Sequence, residues 1–260
     1  MTVFYPHRRI LLKLQFSEIL TIITGMKVTI VHGQNHKGST YHIARMLAEK
    51  ICAESDFSEN IKEFFLPKDF GSFCLGCCSC FKKSESLCPH HAALEPITKS
   101  LDEADVIILA SPVYVYHATG AMKAFLDHYG YRWMVHSPEG SMFKKQAVCV
   151  ATAAGAGMKS TIKDMADSLF FWGIARQYKL AYAVKATDWN SVSEKTKVKI
   201  EKQSSGIAKK IIRLNGKVKP GIKTKAFFSL MRLMQKNGWN ERDAVYWKER
   251  GWTEKNRPWK

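Results

Sequence analysis

The sequence has no apolar run of the roughly 18 to 20 residues that a membrane-spanning helix requires. Its N-terminal tract, residues 1–25, is broken by Glu18, and it lacks the clean small-residue cleavage site of a secretory signal. Outside one short stretch the only cysteines are Cys52 and Cys149, so a widely spread disulfide framework is excluded. These absences predict a cytoplasmic protein without a membrane partner.

Acidic residues are also few, 23 against 40 lysines and arginines in 260 residues, which gives a formal net charge of +17. Such a charge attracts nucleic acid, anionic membranes and anionic cofactors alike, so it selects no partner. A nucleic-acid-binding module would use the lysines of 197–210 and 217–225 with Trp239, Trp247 and Trp252. Because most lysines of the first stretch follow the solvent face of an amphipathic helix, we predict no nucleic-acid partner.

The region after Met26 alternates short β-branched runs with longer segments of helical periodicity, the pattern of parallel strands joined by crossover helices. The predicted strands cover 27–33, 60–66, 104–114, 146–157 and 175–184. This rhythm predicts an α/β fold, a flavodoxin-like doubly wound five-stranded parallel sheet with helices on both faces.

Three segments are predicted along the chain. Residues 26–216 form the flavodoxin-like domain. Residues 1–25 are interpreted as an extension from start-site assignment, with an additional packing or oligomer-contact helix as the alternative. Residues 217–260 are interpreted as a basic linker followed by an aromatic-rich C-terminal helical appendix.

Three loops follow strands whose carboxyl ends meet at one edge of such a sheet, where ligands bind. After the first strand, Gly33 and Gly38 flank a polar loop, and Ser39 and Thr40 open a helix, which suits a phosphate. A P-loop is excluded because Lys37 precedes the second glycine, and a helix cap without a ligand is the alternative. The third strand is followed by the aromatic loop "PVYVYH", and the fourth by the small-residue loop "TAAGAG", against which a flat ligand can lie.

These loops, "HGQNHKGST", "ADVIILASPVYVYHATGAMKAFLDH" and "TAAGAG", together with the cysteine run "CLGCCSC", carry a family resemblance. The sequence resembles the flavodoxin-like NAD(P)H-dependent FMN reductase family and, within it, the branch that includes iron–sulfur flavoproteins. The resemblance implies FMN as cofactor, NAD(P)H as co-substrate and a homodimer or homotetramer.

The resemblance also implies which residues hold FMN. Five would bind its phosphate: Gln34, His36, Gly38, Ser39 and Thr40. The ribityl chain and one edge of the isoalloxazine would contact Pro112, Val113, Tyr114 and Val115, and the other edge Thr152, Ala153, Ala154 and Gly155. This chain has Gln34-Asn35-His36 where the family frequently has Ser-Pro-Arg, which leaves His36 and Lys37 as local charge partners of the phosphate.

The cysteine run places Cys74, Cys77, Cys80 and Cys88 in a C-x2-C-x2-C-x7-C spacing. Such spacing resembles runs that wrap a cubane cluster, and the similar arrangement in iron–sulfur flavoproteins implies a [4Fe-4S] cluster on these four residues. A zinc site, which usually combines two separated pairs, and a redox dithiol beside nearby lysines are alternatives. A loop without any cluster is another, because related flavin reductases also keep a cysteine loop here.

The resemblance implies an FMN-dependent NAD(P)H oxidoreductase. Hydride from NAD(P)H would reach flavin N5, and electrons would pass to a small-molecule or protein acceptor, singly if a cluster is present. The alternative is a non-enzymatic flavodoxin-like electron carrier. We rank it lower because such carriers are commonly acidic.

Overall fold

In residues 25–52 and 57–260, which the computed structural model describes, five strands form one parallel sheet. The strands are β1 (Val28–His32), β2 (Ile61–Phe65), β3 (Val106–Pro112), β4 (Gln146–Ala153) and β5 (Arg176–Ala183). Their order in the sheet is β2-β1-β3-β4-β5. The predicted doubly wound fold is therefore confirmed. Residues 1–24 of the predicted N-terminal extension lie outside the described part of the chain.

Helices connect and follow the strands. They are α1 (Ser39–Ile51), α2 (Phe57–Asn60), α3 (Ser79–Lys82), α4 (His91–Glu103), α5 (Gly120–Asp127), α6 (Met158–Phe171), α7 (Glu194–Arg213), α8 (Ile222–Lys236) and α9 (Glu241–Glu249). Short 3-10 helices occur at Glu85–Leu87, Gly130–Arg132 and Gly140–Lys144. In this part of the chain no helix is both long and apolar enough to cross a bilayer.

The central strands are buried on both faces, which explains their nearly continuous apolar sequences. Successive residues alternate between the two cores: Ile107 and Leu109 of β3 pack under α4, α5 and α6, whereas Val106 and Ile108 pack under α1 and α7. Polar residues of β2 and β5 fit their positions at the sheet edges.

A third core joins the C-terminal helices to the domain. Met134 and Phe143, which precede β4, pack with four residues of the C-terminal segment: Phe228, Met231, Trp247 and Trp252. The first of these helices, α8, begins at Ile222, inside the basic stretch 215–225 that resembles a linker. Its buried side chains explain the helix: Phe228 and Met231 lie on one face at helical spacing.

The loop between α6 and β5 makes a close approach that only glycine permits. Gly173 has a φ of +93°, and a Cβ there would lie 2.5 to 2.8 Å from three ring carbons of Phe143. We expect Gly173→Ala to lower the free energy of unfolding by about 1 to 3 kcal/mol through backbone strain and overpacking.

The matched control is Gly206→Ala in α7, where a Cβ meets nothing within 4 Å. An alanine inside a helix should raise stability by about 0.5 to 1 kcal/mol. Urea denaturation followed by circular dichroism measures both changes, and equal effects of the two substitutions would contradict the assignment of strain to Gly173.

Candidate functional site

The carboxyl ends of β1, β3 and β4 surround a cavity of about 210 Å³. Of the thirteen predicted FMN contacts, eleven line it: Gln34, His36, Gly38, Ser39, Thr40, Pro112, Val113, Tyr114, Thr152, Ala153 and Ala154. The parallel sheet thus brings together residues that are more than a hundred positions apart in sequence. This is the edge at which open parallel sheets bind ligands.

One end of the cavity is the N-terminus of α1. Gly38 caps this helix without a side-chain hydrogen bond, and no acidic residue occupies its first turn. Ser39 and Thr40 are buried there, and the hydroxyls of Thr40 and Thr152 lie 2.6 Å apart, which ties α1 to the end of β4. Uncapped amides and hydroxyls at the positive end of a helix dipole make an anion site.

The loop after β1 is held against α5. The backbone of Gly33 lies close to Thr119 at the start of this helix. A Cβ on Gly33 would lie 2.9 Å from Thr119 Oγ1, and this hydroxyl donates to the Gly33 carbonyl at 2.5 Å. Further along, the Gln34 amide donates to the Tyr114 hydroxyl at 3.1 Å, so the loops after β1 and β3 are linked. The walls of the cavity are therefore fixed by protein contacts.

The two local charge candidates take different positions. His36 lines the cavity, whereas the Lys37 ammonium lies 5.3 Å from the Tyr41 ring centroid and 5.9 Å from that of Phe65. Lys37 contributes positive charge near the loop but is engaged with aromatic faces. His36 is therefore the basic side chain that a bound anion would meet directly.

Val115 and Gly155, the other two predicted contacts, do not line the cavity. Val115 and Tyr116 form a two-residue turn closed by reciprocal backbone hydrogen bonds between Tyr114 and His117. Both turn residues have positive φ, 47° and 66°, and Val115 is 94% exposed. Positive φ is uncommon for a β-branched residue, so the chain maintains a strained apolar tip beside the cavity.

Six residues that the sequence did not predict also line the cavity: His32, Tyr41, Ala110, Val184, Ala186 and Thr187. The last three follow β5, and the rule that ligands bind at the carboxyl ends of strands could have included them. His32 gave no such signal. Its Nε2 donates a 3.0 Å hydrogen bond to the Glu63 carboxylate, which also pairs with Arg45 at 2.7 Å. Burial alone would raise the pKa of Glu63, but these two partners hold it below its usual value.

A second cavity, of about 790 Å³, is lined by all five cysteines between 74 and 88. The C-terminal helix α9 holds this loop: Arg242 donates to the Cys80 carbonyl at 2.5 Å and to the Glu85 carboxylate at 2.9 Å. Phe81 packs edge-on against His136, with ring centroids 4.7 Å apart. The four predicted ligands, Cys74, Cys77, Cys80 and Cys88, face this one cavity as free thiols, so the donor set fits a thiolate-bound cluster.

The thiols of this loop differ in acidity. Hydrogen bonds from the Ser79 backbone and side chain lower the pKa of the exposed Cys77, whereas burial raises that of Cys80 to about 11. Burial likewise raises the pKa of Cys149, inside β4, to about 12. Cys77 is therefore the strongest nucleophile among Cys77, Cys80 and Cys149 at neutral pH.

In the metal-free chain at pH 8, we expect iodoacetamide to modify Cys77 on the order of a hundredfold faster than Cys80, because the thiolate fraction scales with the difference in pKa. Cys149 should stay unmodified until the chain unfolds. Timed alkylation with peptide mass spectrometry measures the three rates. Equal rates at Cys77 and Cys80 would show that the loop is open in solution.

The family model described as NADPH-dependent FMN reductase matches residues 26–187 of the chain. An iron-sulfur flavoprotein of Archaeoglobus fulgidus is 30% identical over 104 residues, 40% of this chain and 44% of that protein. An iron-sulfur flavoprotein of Clostridioides difficile is 28% identical over 188 residues, 69% of this chain and 76% of that protein. The matched region thus spans less than half the length of the Archaeoglobus protein.

Solved structures with the same fold include an FMN-dependent NADH-azoreductase from Bacillus anthracis in complex with FMN. It is 12% identical with a TM-score of 0.51, and the alignment covers 70% of this chain and 99% of that one. An NAD(P)H:quinone oxidoreductase from Methanothermobacter marburgensis is 13% identical with a TM-score of 0.52, covering 71% and 98%. At these identities the likeness establishes the shared fold.

Proposed function

The chain belongs to the NADPH-dependent FMN reductase family, as its motifs predict, and we propose that it is an FMN-dependent NAD(P)H oxidoreductase. The observation that carries the proposal is the cavity at the carboxyl ends of β1, β3 and β4, with the uncapped N-terminus of α1 at one end. When bound, FMN would supply the redox chemistry, taking a hydride from NAD(P)H at N5 and passing electrons to an acceptor.

The residues of the cavity divide by the part of FMN they suit. The amides at the start of α1 and the hydroxyls of Ser39 and Thr40 would bind the phosphate, with His36 as its charge partner. The loop from Pro112 to Tyr114 would contact the ribityl chain and one edge of the ring system. The residues Thr152, Ala153 and Ala154 offer the other edge a surface of small side chains.

The test is anaerobic purification, measurement of bound FMN, and addition of NADH or NADPH while the flavin absorbance is followed. We expect about one FMN per chain and rapid bleaching by at least one nucleotide. A chain that binds no flavin would refute the proposal. A chain that binds FMN but is bleached slowly or not at all by both nucleotides would instead be an electron carrier.

We also propose that Cys74, Cys77, Cys80 and Cys88 would hold a [4Fe-4S] cluster, which would supply single-electron transfer toward the acceptor. The support is that the four thiols face one cavity and that similar proteins are named iron-sulfur flavoproteins. Iron and acid-labile sulfide should be present in the native chain and absent from the Cys74→Ser, Cys77→Ser double variant. A chain that contains FMN but neither iron nor sulfide would refute the cluster proposal and leave the reductase proposal standing.

Under this proposal the electron acceptor is a small molecule or a protein. We further propose that the enzyme is a cytoplasmic homodimer or homotetramer. The exposed apolar tip at Val115 and Tyr116, beside the cavity, supports an oligomer in which a neighbouring subunit covers the flavin. Sedimentation analysis with and without FMN tests the assembly, and a monomer under both conditions would refute it.

A further inference from the structure

A group of three ligand atoms in the cysteine cavity is unused by the proposed flavin site. Among the described residues, the side chains of Cys88, His90 and His128 place one donor atom each within 4.8 Å of one another. We infer that these residues bind a divalent transition-metal ion, Zn²⁺ being the natural choice, when no iron–sulfur cluster occupies Cys88. The inference stands whether or not the chain is a reductase.

His128 is oriented as a metal ligand needs to be. Its Nδ1 donates to the Ala124 carbonyl at 2.7 Å, and because a carbonyl only accepts, the proton of a neutral ring must lie on Nδ1. The Nε2 atom therefore has no proton and accepts a hydrogen bond from His90 Nδ1, 2.9 Å away, so its lone pair points into the ligand group. The Phe70 ring, 4.8 Å from the His128 ring, holds it in place. A backbone carbonyl that fixes the tautomer of a ligating histidine is a recurring outer-sphere feature of metal sites.

The spacing of the two histidines is close to that of a metal site. Two nitrogens at 2.0 to 2.1 Å from a tetrahedral ion lie about 3.3 Å apart, so a shift of a few tenths of an ångström from 2.9 Å would admit the ion. Binding would require His90 to carry its proton on Nε2 instead of Nδ1, which leaves His90 Nδ1 and His128 Nε2 to bind the ion, and it would release the proton of the Cys88 thiol.

The donor set and its surroundings favour zinc. One thiolate and two imidazoles are ligands that Zn²⁺ accepts readily. His128 is supplied by the rigid end of α5 and is buried, whereas Cys88 and His90 lie in the segment before α4 and are partly exposed. The open cavity of about 790 Å³ gives the ion an entry path and leaves room for a fourth ligand.

Cys88 is also the fourth predicted ligand of the cluster, so the two metal groups would exclude each other. An ion held by Cys88, His90 and His128 leaves the three-cysteine run without its fourth sulfur. The chain would then carry either a cluster or a mononuclear ion.

The experiment uses the full chain with Cys74→Ser and Cys77→Ser, which cannot assemble a four-cysteine cluster, after removal of metal with a chelator. Co²⁺ is the probe, because tetrahedral cobalt gives visible d–d bands and a thiolate ligand adds near-ultraviolet charge transfer. We expect about one Co²⁺ per chain and competition by Zn²⁺. Adding Cys88→Ser or His90→Ala should weaken binding on the order of a hundredfold, and Cys88→Ser should also abolish the charge-transfer band.

His91→Ala is the matched control, because His91 neighbours His90 and lines the same cavity but is outside the ligand group. It should bind Co²⁺ as the parent does. His128→Ala should also lose binding, and since His128 is buried, His90→Ala carries the test if His128→Ala fails to fold. The inference is overturned if the parent shows no tetrahedral cobalt bands or if His90→Ala and His91→Ala bind Co²⁺ equally. FMN content, measured in the same samples, separates either result from failure of the reductase proposal.

Discussion

Ser39→Asp is expected to lower the affinity for FMN by about a hundredfold while leaving the affinity for riboflavin within a few-fold of the native value. Ser39 is the first residue of α1 and is buried beside the cavity. An aspartate there would place its carboxylate where the phosphate dianion of FMN is proposed to bind. A repulsion of about 3 kcal/mol is reasonable for close charges of like sign near a protein surface, and it corresponds to that loss of affinity.

The thermal stability of the ligand-free variant serves as the control for the fold. An acidic residue in the first turn complements the helix dipole, but Ser39 is buried, so its carboxylate would also lose hydration. Flavin fluorescence titrations with FMN and riboflavin give both affinities. Ser39→Ala, which removes only the hydroxyl, should lower the affinity for FMN several-fold at most. Equal losses for FMN and riboflavin would show that the phosphate does not bind at this helix.

Trp247→Ala should lower the free energy of unfolding by about 3 to 5 kcal/mol, the range for removal of a large buried aromatic side chain. Trp247 is fully buried in the third core, 4.7 Å from the Phe228 ring and 5.5 Å from that of Trp252. Its indole N–H also donates to the His136 carbonyl at 2.6 Å, so the substitution leaves that acceptor without its partner.

Trp239→Ala is the matched control, because Trp239 lies in the same C-terminal segment but is 56% exposed. We expect it to cost less than about 1 kcal/mol. Urea denaturation of both variants and the native chain gives the comparison. A small effect of Trp247→Ala would mean that the C-terminal helices can detach from the domain without disturbing it.

The sequence was sufficient to predict the sheet because its strands are buried on both faces. Runs such as "VIILA" in β3 have a β-branched, almost continuous apolar character that a surface helix cannot have. Most residues that line the cavity at the strand ends could be predicted too, because they follow the predicted strands directly in the sequence.

The remaining features depend on contacts between distant residues. His128 follows a helix whose pattern indicates only core packing, and nothing in its surroundings marks it as a neighbour of Cys88 and His90. Similarly, the aromatic residues of α8 and α9 predict burial, but their partners Met134 and Phe143 lie about a hundred positions earlier. Val115 does not line the cavity although Pro112, Val113 and Tyr114 do, and the turn that carries Val115 away from it has no glycine to signal it.

The contact between Arg242 and the cysteine loop also affects the order in which the protein matures. It joins residues 162 positions apart in the chain, so β3, β4, β5 and the helices between them must be synthesised before the loop receives this support. We therefore expect a nascent chain on the ribosome to carry its cysteines in an unsupported loop until α9 has emerged and docked. Delivery of iron and sulfide for the proposed cluster would then follow translation of the C-terminal helices, so the loop would acquire the cluster only after synthesis of the chain is complete.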